Sequence, residues 1–398
     1  MIIKEELIKG FVKNTHPYGC RQEVLNQINY CKAAKNFTGP KKVLIVGASS
    51  GFGLATRISL AFGGAKADTI GLSYETGVTE RRIGTPGWYN NIFFKEFAEK
   101  EELIAKNFID DAFSDEAKKK VIKYIKEEFG KIDLLVYSVA APRRKDYKTG
   151  KVYNSKIKTI SGEFEGPTID IEKGEIALKK VNSASAEETY DTVKVMGGED
   201  WSQWCEELLK EKCFSEGAMT IAYSYIGSPR TYKIYREGTI GEAKKDLEKT
   251  AHEVNKKFEK EIKGKAFVSV NKALVTKASA YIPTFPLYAA VLYKVMKEKN
   301  IHENCIMQMQ RLFCEKIYSK GKIDFDAAGR VRMDDFELRE DVQKEIDDIW
   351  SKITPDNFKV LSDYDGYRKE FMQLNGFDVE GVDYNMEVDI ELLRKLKY

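Results

Sequence analysis

Several hallmarks of metal-binding, secreted and membrane proteins are missing from this 398-residue sequence. Its three histidines lie far apart and its six cysteines contain no C-x-x-C pair, so we expect no metal site and reduced thiols. The first residues lack the apolar segment of a signal peptide. The most apolar run, residues 278–296, is interrupted by two prolines and a lysine and is too short to span a bilayer. We therefore expect a cytoplasmic protein with no membrane partner.

An excess of charge of one sign is also missing. Lysine and arginine number 65 against 62 acidic residues, and this balance gives no reason to expect a nucleic-acid partner. Hydrophobic residues make up 42% of the chain, which is enough to bury a large core.

The most informative stretch present is a glycine-rich turn between a strand pattern and a helix pattern. Residues 43–46 are apolar and mostly β-branched, and residues 54–62 have a helical pattern. Backbone N–H groups and the helix dipole meet at such a turn and bind phosphate, and glycine lets the phosphate approach the backbone. The G-x-x-x-G-x-G spacing is typical of short-chain dehydrogenases. It predicts a dinucleotide site formed by Gly47, Ala48, Ser49, Ser50, Gly51, Phe52 and Gly53.

Strand and helix patterns alternate along most of the chain. Further buried strands are predicted at 67–73, 103–109, 132–139, 219–225 and 267–271. Helices are predicted at 21–36, 88–100, 114–129, 201–213, 279–298, 303–318 and 335–352. This rhythm predicts an α/β fold with a doubly wound parallel sheet of Rossmann type, as in short-chain dehydrogenases.

We interpret the chain, residues 1–398, as a single large α/β unit. Residues 1–40 form a lead-in packed on it, and residues 41–142 and 218–277 form the dinucleotide-binding core. Residues 143–217 form an insertion, in which alternating polar and apolar residues predict one or two β-hairpins within the sheet domain. Residues 278–398 form a helical region on the substrate side.

Candidate cofactor contacts follow the predicted strands at one edge of the sheet. Glu75 ends the second strand, where a carboxylate accepts hydrogen bonds from the adenosine ribose. It would repel a 2′-phosphate and so favours NADH over NADPH, although a neighbouring arginine, Arg81 or Arg82, would weaken this preference. The other candidates are Tyr74 beside Glu75, Asp111 and Ala112 for the adenine, and Val139 and Ala140 for the ribose.

The expected catalytic pair has unusual spacing. No tyrosine after the fifth strand has a lysine four residues later, the spacing used by short-chain dehydrogenases, and Tyr235 and Lys244 are nine residues apart. On one continuous helix they would face opposite ways. Gly238 and a capping box at residues 239–242 predict instead that the helix begins near residue 240, with Tyr235 on the approach loop.

An apolar stripe selects between two neighbouring lysines. The stripe that includes Leu247 and Val254 passes through Lys244, whereas Lys245 points away from it. A lysine on a buried stripe needs a partner, and a nicotinamide ribose with a tyrosine would supply one. A lysine snorkelling at a helix end is the alternative. Tyr225, at the end of the fifth strand, is a second phenol near the nicotinamide, and spacing alone does not choose among the nearby tyrosines.

Together these motifs resemble the trans-2-enoyl-CoA reductase family, long-insert relatives of short-chain dehydrogenases also known as FabV-type enoyl-ACP reductases. The resemblance extends over essentially the whole chain. It rests on the glycine turn, Tyr74-Glu75, residues 138–142, Tyr225-Ile226-Gly227, Tyr235-x8-Lys244 and Leu274-Val275-Thr276.

The resemblance implies NADH-dependent reduction of the C2=C3 double bond of a trans-2-enoyl thioester of CoA or acyl-carrier protein, without flavin or metal. It implies short acyl chains, as in crotonyl-CoA to butyryl-CoA, a role in fatty acid metabolism and a monomeric enzyme. Tyr235 would donate a proton, Lys244 would bind the cofactor and Tyr225 would hydrogen-bond the thioester carbonyl. Leu274, Val275 and Thr276 would contact the cofactor.

Two other functions stay open on the residues themselves. A carbonyl reductase or epimerase could use the same tyrosine, lysine and NADH, and acetoacetyl-CoA against crotonyl-CoA would separate the two reactions. A non-catalytic NADH sensor could keep the fold, and it would bind NADH without oxidising it in the presence of an enoyl-CoA.

Overall fold

The computed structural model describes residues 1–80, 82–319, 321–396 and 398, and at its centre is a seven-stranded sheet. Its strands are β1 (Lys42–Val46), β2 (Asp68–Ser73), β3 (Ala105–Ile109), β4 (Ile132–Tyr137), β5 (Phe214–Ser224), β6 (Lys265–Val270) and β7 (Val331–Arg332). Their order across the sheet is β3-β2-β1-β4-β5-β6-β7, and every neighbouring pair is parallel. The strand order therefore reverses between β1 and β4, the point at which doubly wound sheets bind ligands.

The described residues form thirteen α-helices, some of which cover the two faces of this sheet. They are α1 (Pro17–Ala33), α2 (Gly51–Phe62), α3 (Pro86–Glu99), α4 (Asp115–Tyr124), α5 (Ala186–Met196), α6 (Glu199–Lys210), α7 (Thr239–Ile262), α8 (Phe285–Glu298), α9 (Cys305–Arg311), α10 (Glu340–Trp350), α11 (Phe358–Leu361), α12 (Tyr364–Gln373) and α13 (Ile390–Arg394). Helices α1, α2, α3 and α9 pack on one face, and α4, α6 and α7 on the other. The predicted doubly wound α/β fold is confirmed.

A third apolar cluster lies beyond the carboxyl ends of the strands. It contains side chains of α8, α10 and α12 together with residues 273–275, in the loop after β6. Almost all of α8 is buried, from Phe285 to Met296. Residues 273–275 thus join this cluster to the chain that leaves the carboxyl end of β6.

The insertion between β4 and β5 contains β-hairpins, as predicted. Its hairpins pair Arg143–Lys145 with Val152–Asn154 and Phe164–Asp170 with Glu175–Val181, and both are separate two-stranded sheets outside the central sheet. It also contains the unpredicted helix α5, although a capping box formed by Ser185 and Glu188 marks where that helix begins. A further small hairpin, Leu7–Ile8 with Phe11–Val12, precedes α1.

The capping box predicted at residues 239–242 is wrong. The hydroxyl of Thr239 donates to the carbonyl oxygen of Lys156 in the insertion, and Glu242 pairs with Lys245 at 2.6 Å. A tertiary contact therefore takes the side chain that the local motif needed. The helix still begins where the glycine predicts, because Gly238 precedes its first turn.

Other boundaries shift and one strand was not predicted. The pattern at 279–298 is a 3₁₀ turn, Ser279–Tyr281, followed by α8, and that at 303–318 is α9 continued by a π-helical turn, Leu312–Ile317. The two-residue strand β7 is too short for a periodic signal. All six cysteines are free thiols, and within the described residues no metal-binding cluster and no helix suited to crossing a bilayer are found.

Candidate active site

The glycine turn joins β1 to α2 at the reversal point of the strand order. Gly47 has φ +91°, and a Cβ there would lie 2.3 Å from the carbonyl oxygen of Ser138. A Cβ on Gly53 would lie 1.9 Å from the carbonyl oxygen of Gly47. The turn itself therefore requires glycine at both positions. Since α2 begins at Gly51, the N–H groups of its first turn have no acceptor within the helix and can bind an anion.

Two buried polar groups beside the turn fit a ligand that brings its own hydrogen-bonding groups. Ser224 Oγ and Asn271 Nδ2 are buried without a partner among the described residues, and both residues line a cavity of about 140 Å³. Orphaned buried polar atoms are uncommon in folded proteins. The glycine cradle and these donors together fit a dinucleotide with its phosphates and hydroxyls.

The carboxylate of Glu75 is held firmly at the end of β2. Its Oε1 accepts a hydrogen bond from the Ser49 hydroxyl at 2.5 Å, and its Oε2 accepts one from the Thr85 hydroxyl. A Cβ on Gly87 would lie 2.0 Å from Oε1, so a larger residue there would displace the Glu75 carboxylate from this position. Of the two arginines that could neutralise a 2′-phosphate, Arg82 is exposed and Arg81 lies outside the described residues.

The loop after β3 is anchored by residues that sequence reasoning missed. The carbonyl oxygen of Ala112 accepts hydrogen bonds from Lys118 Nζ and Trp204 Nε1, each at 3.1 Å. Lys118 also forms a buried ion pair with Asp200 at 2.8 Å. Asp111 is bound in turn by the hydroxyl of Tyr147, at 2.7 Å, from the first hairpin of the insertion. The sequence carried no signal for the contacts made by Asp200, Trp204 and Tyr147, because each joins segments 36 to 92 residues apart.

One cavity brings together many of the predicted site residues. The 140 Å³ cavity is lined, among others, by Phe52, Val139, Ala140, Tyr225, Tyr235, Lys244, Leu274 and Thr276. Ser50, Gly51 and Val275 line a second cavity of about 80 Å³. The remaining predicted residues line neither cavity: Gly47, Ala48 and Ser49 follow β1, Gly53 lies in the first turn of α2, Tyr74 and Glu75 follow β2, and Asp111 and Ala112 follow β3.

Tyr235 and Lys244 reach the cavity from different elements. Tyr235 lies in the turn before α7 and is 6% exposed, and burial raises the pKa of its phenol well above the usual range. Lys244 lies on the second turn of α7 and donates a hydrogen bond to the carbonyl oxygen of Tyr223 at 3.4 Å, and burial lowers its pKa to about 8. Lys245 is exposed, so the helix register expected from the apolar stripe is confirmed. At neutral pH the cavity is therefore lined by a neutral phenol and a largely protonated amine.

Tyr225 has a partner that the sequence did not predict. Its ring packs edge-on against the ring of Tyr235, with centroids 4.7 Å apart, and its hydroxyl donates to Glu337 Oε1 at 3.1 Å. Glu337 is fully buried and lies in the loop before α10, 112 residues after Tyr225. No motif or spacing in the sequence marks this glutamate.

Known protein families match successive parts of the chain. Residues 82–318 match the trans-2-enoyl-CoA reductase catalytic region, and residues 2–80 match the NAD(P)H binding domain of trans-2-enoyl-CoA reductase. Residues 325–388 match a family described as the enoyl reductase FAD binding domain.

Curated relatives match over the full length. The trans-2-enoyl-CoA reductase [NADH] of Clostridium acetobutylicum is 75% identical, with all of both chains covered. An enoyl-[acyl-carrier-protein] reductase [NADH] of Photobacterium profundum is 52% identical, covering 99% of this chain and 100% of that protein.

Solved structures agree with these matches. The C. acetobutylicum trans-2-enoyl-CoA reductase in complex with NADH superposes with a TM-score of 0.99 at 75% identity, with both chains fully covered. The Treponema denticola trans-2-enoyl-CoA reductase in complex with NAD gives a TM-score of 0.93 at 48% identity, covering 98% of each chain.

Proposed function

The chain belongs to the trans-2-enoyl-CoA reductase family, and we propose that it uses NADH to reduce the C2=C3 double bond of short trans-2-enoyl-CoA thioesters such as crotonyl-CoA. The observation that carries this proposal is the single cavity, beside the glycine turn, that Tyr225, Tyr235 and Lys244 line together. Relatives named for the NADH-dependent reaction, over the full length of the chain, support it.

We assign the cofactor contacts to the residues along the sheet edge. The adenosine end of NADH would lie near Tyr74, Glu75, Asp111 and Ala112, and the pyrophosphate at residues 47–53. Toward the nicotinamide, the proposed contacts are Val139, Ala140, Lys244, Leu274, Val275 and Thr276. The hydrogen bond that holds Val275 N to the hydroxyl of Tyr293, at 3.0 Å, supports a fixed backbone at that point.

The protein's part of the chemistry follows from the two phenols and the amine. When bound, NADH supplies a hydride from its nicotinamide to C3 of the enoyl group. Tyr235 is buried and neutral, so it can donate its proton to the substrate as negative charge develops on the thioester. The ammonium of Lys244 would stabilise the resulting phenolate and bind the nicotinamide ribose. Tyr225 would donate a hydrogen bond to the thioester oxygen.

We propose that no flavin takes part, although residues 325–388 match a family described as FAD-binding. Supporting this, the segment contains one two-residue strand and helices α10, α11 and α12, without a strand, glycine turn and helix in succession that would hold a second dinucleotide. Its Glu337 instead contacts the proposed substrate side. The visible absorbance spectrum of the purified protein, and turnover with and without added FAD, test this: a flavin spectrum that accompanies activity would overturn it.

The reaction is tested by following NADH absorbance with crotonyl-CoA, acetoacetyl-CoA and no acceptor. We expect oxidation with crotonyl-CoA alone, yielding butyryl-CoA. Oxidation with acetoacetyl-CoA alone would favour a carbonyl reductase, and tight NADH binding without oxidation would favour a sensor. A series of enoyl-CoA chain lengths, each compared with its acyl-carrier-protein thioester, would test the proposed preference for short CoA thioesters.

We further propose that the whole chain works as one cytoplasmic monomer without nucleic-acid or membrane partners. The six free thiols support the cytoplasmic location, and the near balance of charge supports the absence of a nucleic-acid partner. Light scattering during size-exclusion chromatography tests the oligomeric state, and a mass of two chains or more would contradict it.

A further inference from the structure

Glu337 is a buried carboxyl group that contacts three separate segments of the chain, and two of its partners, Tyr225 and Ala273, line the cavity. Its Oε1 accepts hydrogen bonds from the hydroxyls of Tyr225, at 3.1 Å, and Tyr288, at 2.8 Å. Its Oε2 accepts one from the backbone N–H of Ala273 at 2.7 Å. These partners come from the end of β5, from α8 and from the loop after β6, and Glu337 itself is fully buried.

The contact with Tyr225 limits what that tyrosine can do for a substrate. A phenol carries one proton, and a thioester carbonyl can only accept a hydrogen bond. When Glu337 is ionised, Tyr225 donates its proton to the carboxylate and has none for the thioester. When Glu337 is neutral, its own O–H can donate to a tyrosine oxygen, and the proton of Tyr225 can then turn into the cavity.

We propose that Glu337 is a positioning residue that, in its neutral form, directs the Tyr225 hydroxyl proton toward the thioester carbonyl. This inference rests on the proposed function, in which Tyr225 hydrogen-bonds the thioester. Glu337 does not touch the substrate and acts through the direction of one hydrogen bond.

Some groups around Glu337 raise the pKa of its carboxyl group and others lower it. Burial raises the pKa of this carboxyl group, and the charge of Asp334, after β7, raises it further. The hydrogen bonds from Ala273 and Tyr288 and the positive charge of Lys272, after β6, act the other way. Tyr225 also faces the carboxyl group, and the neutral Gln343 of α10 donates to the Tyr288 hydroxyl at 3.3 Å. Ionisation of Glu337 with rising pH would therefore weaken turnover.

The test compares kcat/KM for crotonyl-CoA across pH in the wild type, Glu337→Gln, Tyr225→Phe and the double variant. The amide cannot ionise, and its nitrogen can donate to the tyrosine oxygens as the neutral acid does. We expect Glu337→Gln to match the wild type within about threefold at acidic pH and to exceed it by about tenfold or more at alkaline pH. When residue 225 is already phenylalanine, adding Glu337→Gln should not alter how kcat/KM varies with pH. Each comparison uses the ratio of two kcat/KM values at the same pH. Ionisation of Lys244 lowers both values by the same factor, so it does not change the ratio.

Tyr288→Phe provides an independent variant. It removes a donor that stabilises the ionised carboxylate, so Glu337 should stay neutral to higher pH, and the alkaline fall in kcat/KM should move upward. Tyr190→Phe, at an exposed tyrosine on α5, is the matched control and should leave the profile unchanged. If Glu337→Gln does not fold, the Tyr288→Phe shift decides: its presence supports the proposal and its absence overturns it.

Glu337→Gln could instead lower kcat/KM by the same factor at every pH, or by the same factor with and without Tyr225→Phe. Either result would show that Glu337 only supports the fold and would overturn the proposal. The affinity for NADH and the thermal midpoint of each variant, measured in parallel, should stay near the wild-type values. A wild type without crotonyl-CoA turnover would instead overturn the proposed function, and with it this inference.

Discussion

The residues proposed to hold the adenosine end of NADH all come from one continuous stretch, residues 42–112, whereas those around the nicotinamide come from segments spread from Ser138 to Glu337. The first half is built largely from backbone, namely a strand, a turn that requires glycine and the first turn of α2, with the Glu75 carboxylate as its principal side chain. The second half is built from side chains whose burial alters their pKa, notably Tyr235 and Lys244. A backbone site binds through shape and dipoles, while a side-chain site performs proton chemistry. Substitutions in the first half should therefore lower the affinity for NADH, whereas substitutions in the second half should lower turnover.

The largest effect is expected in the side-chain half. Tyr235→Phe should lower kcat by roughly 10²–10⁴-fold because the proton donor is lost, while NADH binds as before. Stopped-flow turnover with crotonyl-CoA and fluorescence titration of NADH measure the two quantities. Tyr232→Phe, at a half-buried tyrosine three residues earlier, is the control and should keep its activity. Turnover at the wild-type rate in Tyr235→Phe would remove this residue from catalysis.

Substitutions in the backbone half should weaken the binding of NADH. Gly53→Ala places a methyl group where only 1.9 Å separates it from the carbonyl oxygen of Gly47, so α2 or the turn must move. Overpacking of this kind costs about 1–3 kcal/mol, and we expect NADH to bind roughly 10–100-fold more weakly. Isothermal titration measures the change in affinity. Gly321→Ala, at a glycine with open space around it, should have no effect. Equal affinities in both variants would contradict a phosphate site at this turn.

Lys244 links the two halves, since it belongs to the side-chain half but is proposed to bind the cofactor. Its pKa is lowered to about 8, so it loses its proton as the pH rises through that value, and NADH should then bind more weakly. Lys244→Met should remove both the charge and the pH dependence, weakening NADH about tenfold at neutral pH. Titrations of NADH at several pH values measure this, with Lys245→Met as the exposed neighbour control. An NADH affinity in the wild type that is flat across this range would exclude the contact.

The smallest effect concerns the choice of cofactor. Glu75→Ala removes the carboxylate that would repel a 2′-phosphate, and we expect the preference for NADH over NADPH in kcat/KM to narrow by about tenfold. Glu80→Ala, at an exposed acid in the following loop, controls for the general loss of negative charge. An unchanged NADH to NADPH ratio in Glu75→Ala would place the ribose elsewhere.

The backbone half could be predicted from sequence because its residues are neighbours in the chain. The β1–α2 turn, the strand ends and the parallel sheet all follow from short patterns of apolar residues and glycines, and the parallel, doubly wound sheet is confirmed. The prediction failed where a side chain was taken by a distant partner. Thr239 is the clearest case, since its hydroxyl contacts Lys156 and does not cap its own helix.

The sequence by itself determined the fold class, the glycine turn and the register of Lys244 on α7, because each depends on residues within a few turns of one another. Only the tertiary structure decided that Lys118 and Asp200 anchor the loop after β3, and that Glu337 binds Tyr225. Such contacts join segments about 80 to 110 residues apart. A charged group is stable inside the protein only when a partner compensates for its lost hydration. No local sequence pattern identifies a partner that comes from elsewhere in the chain.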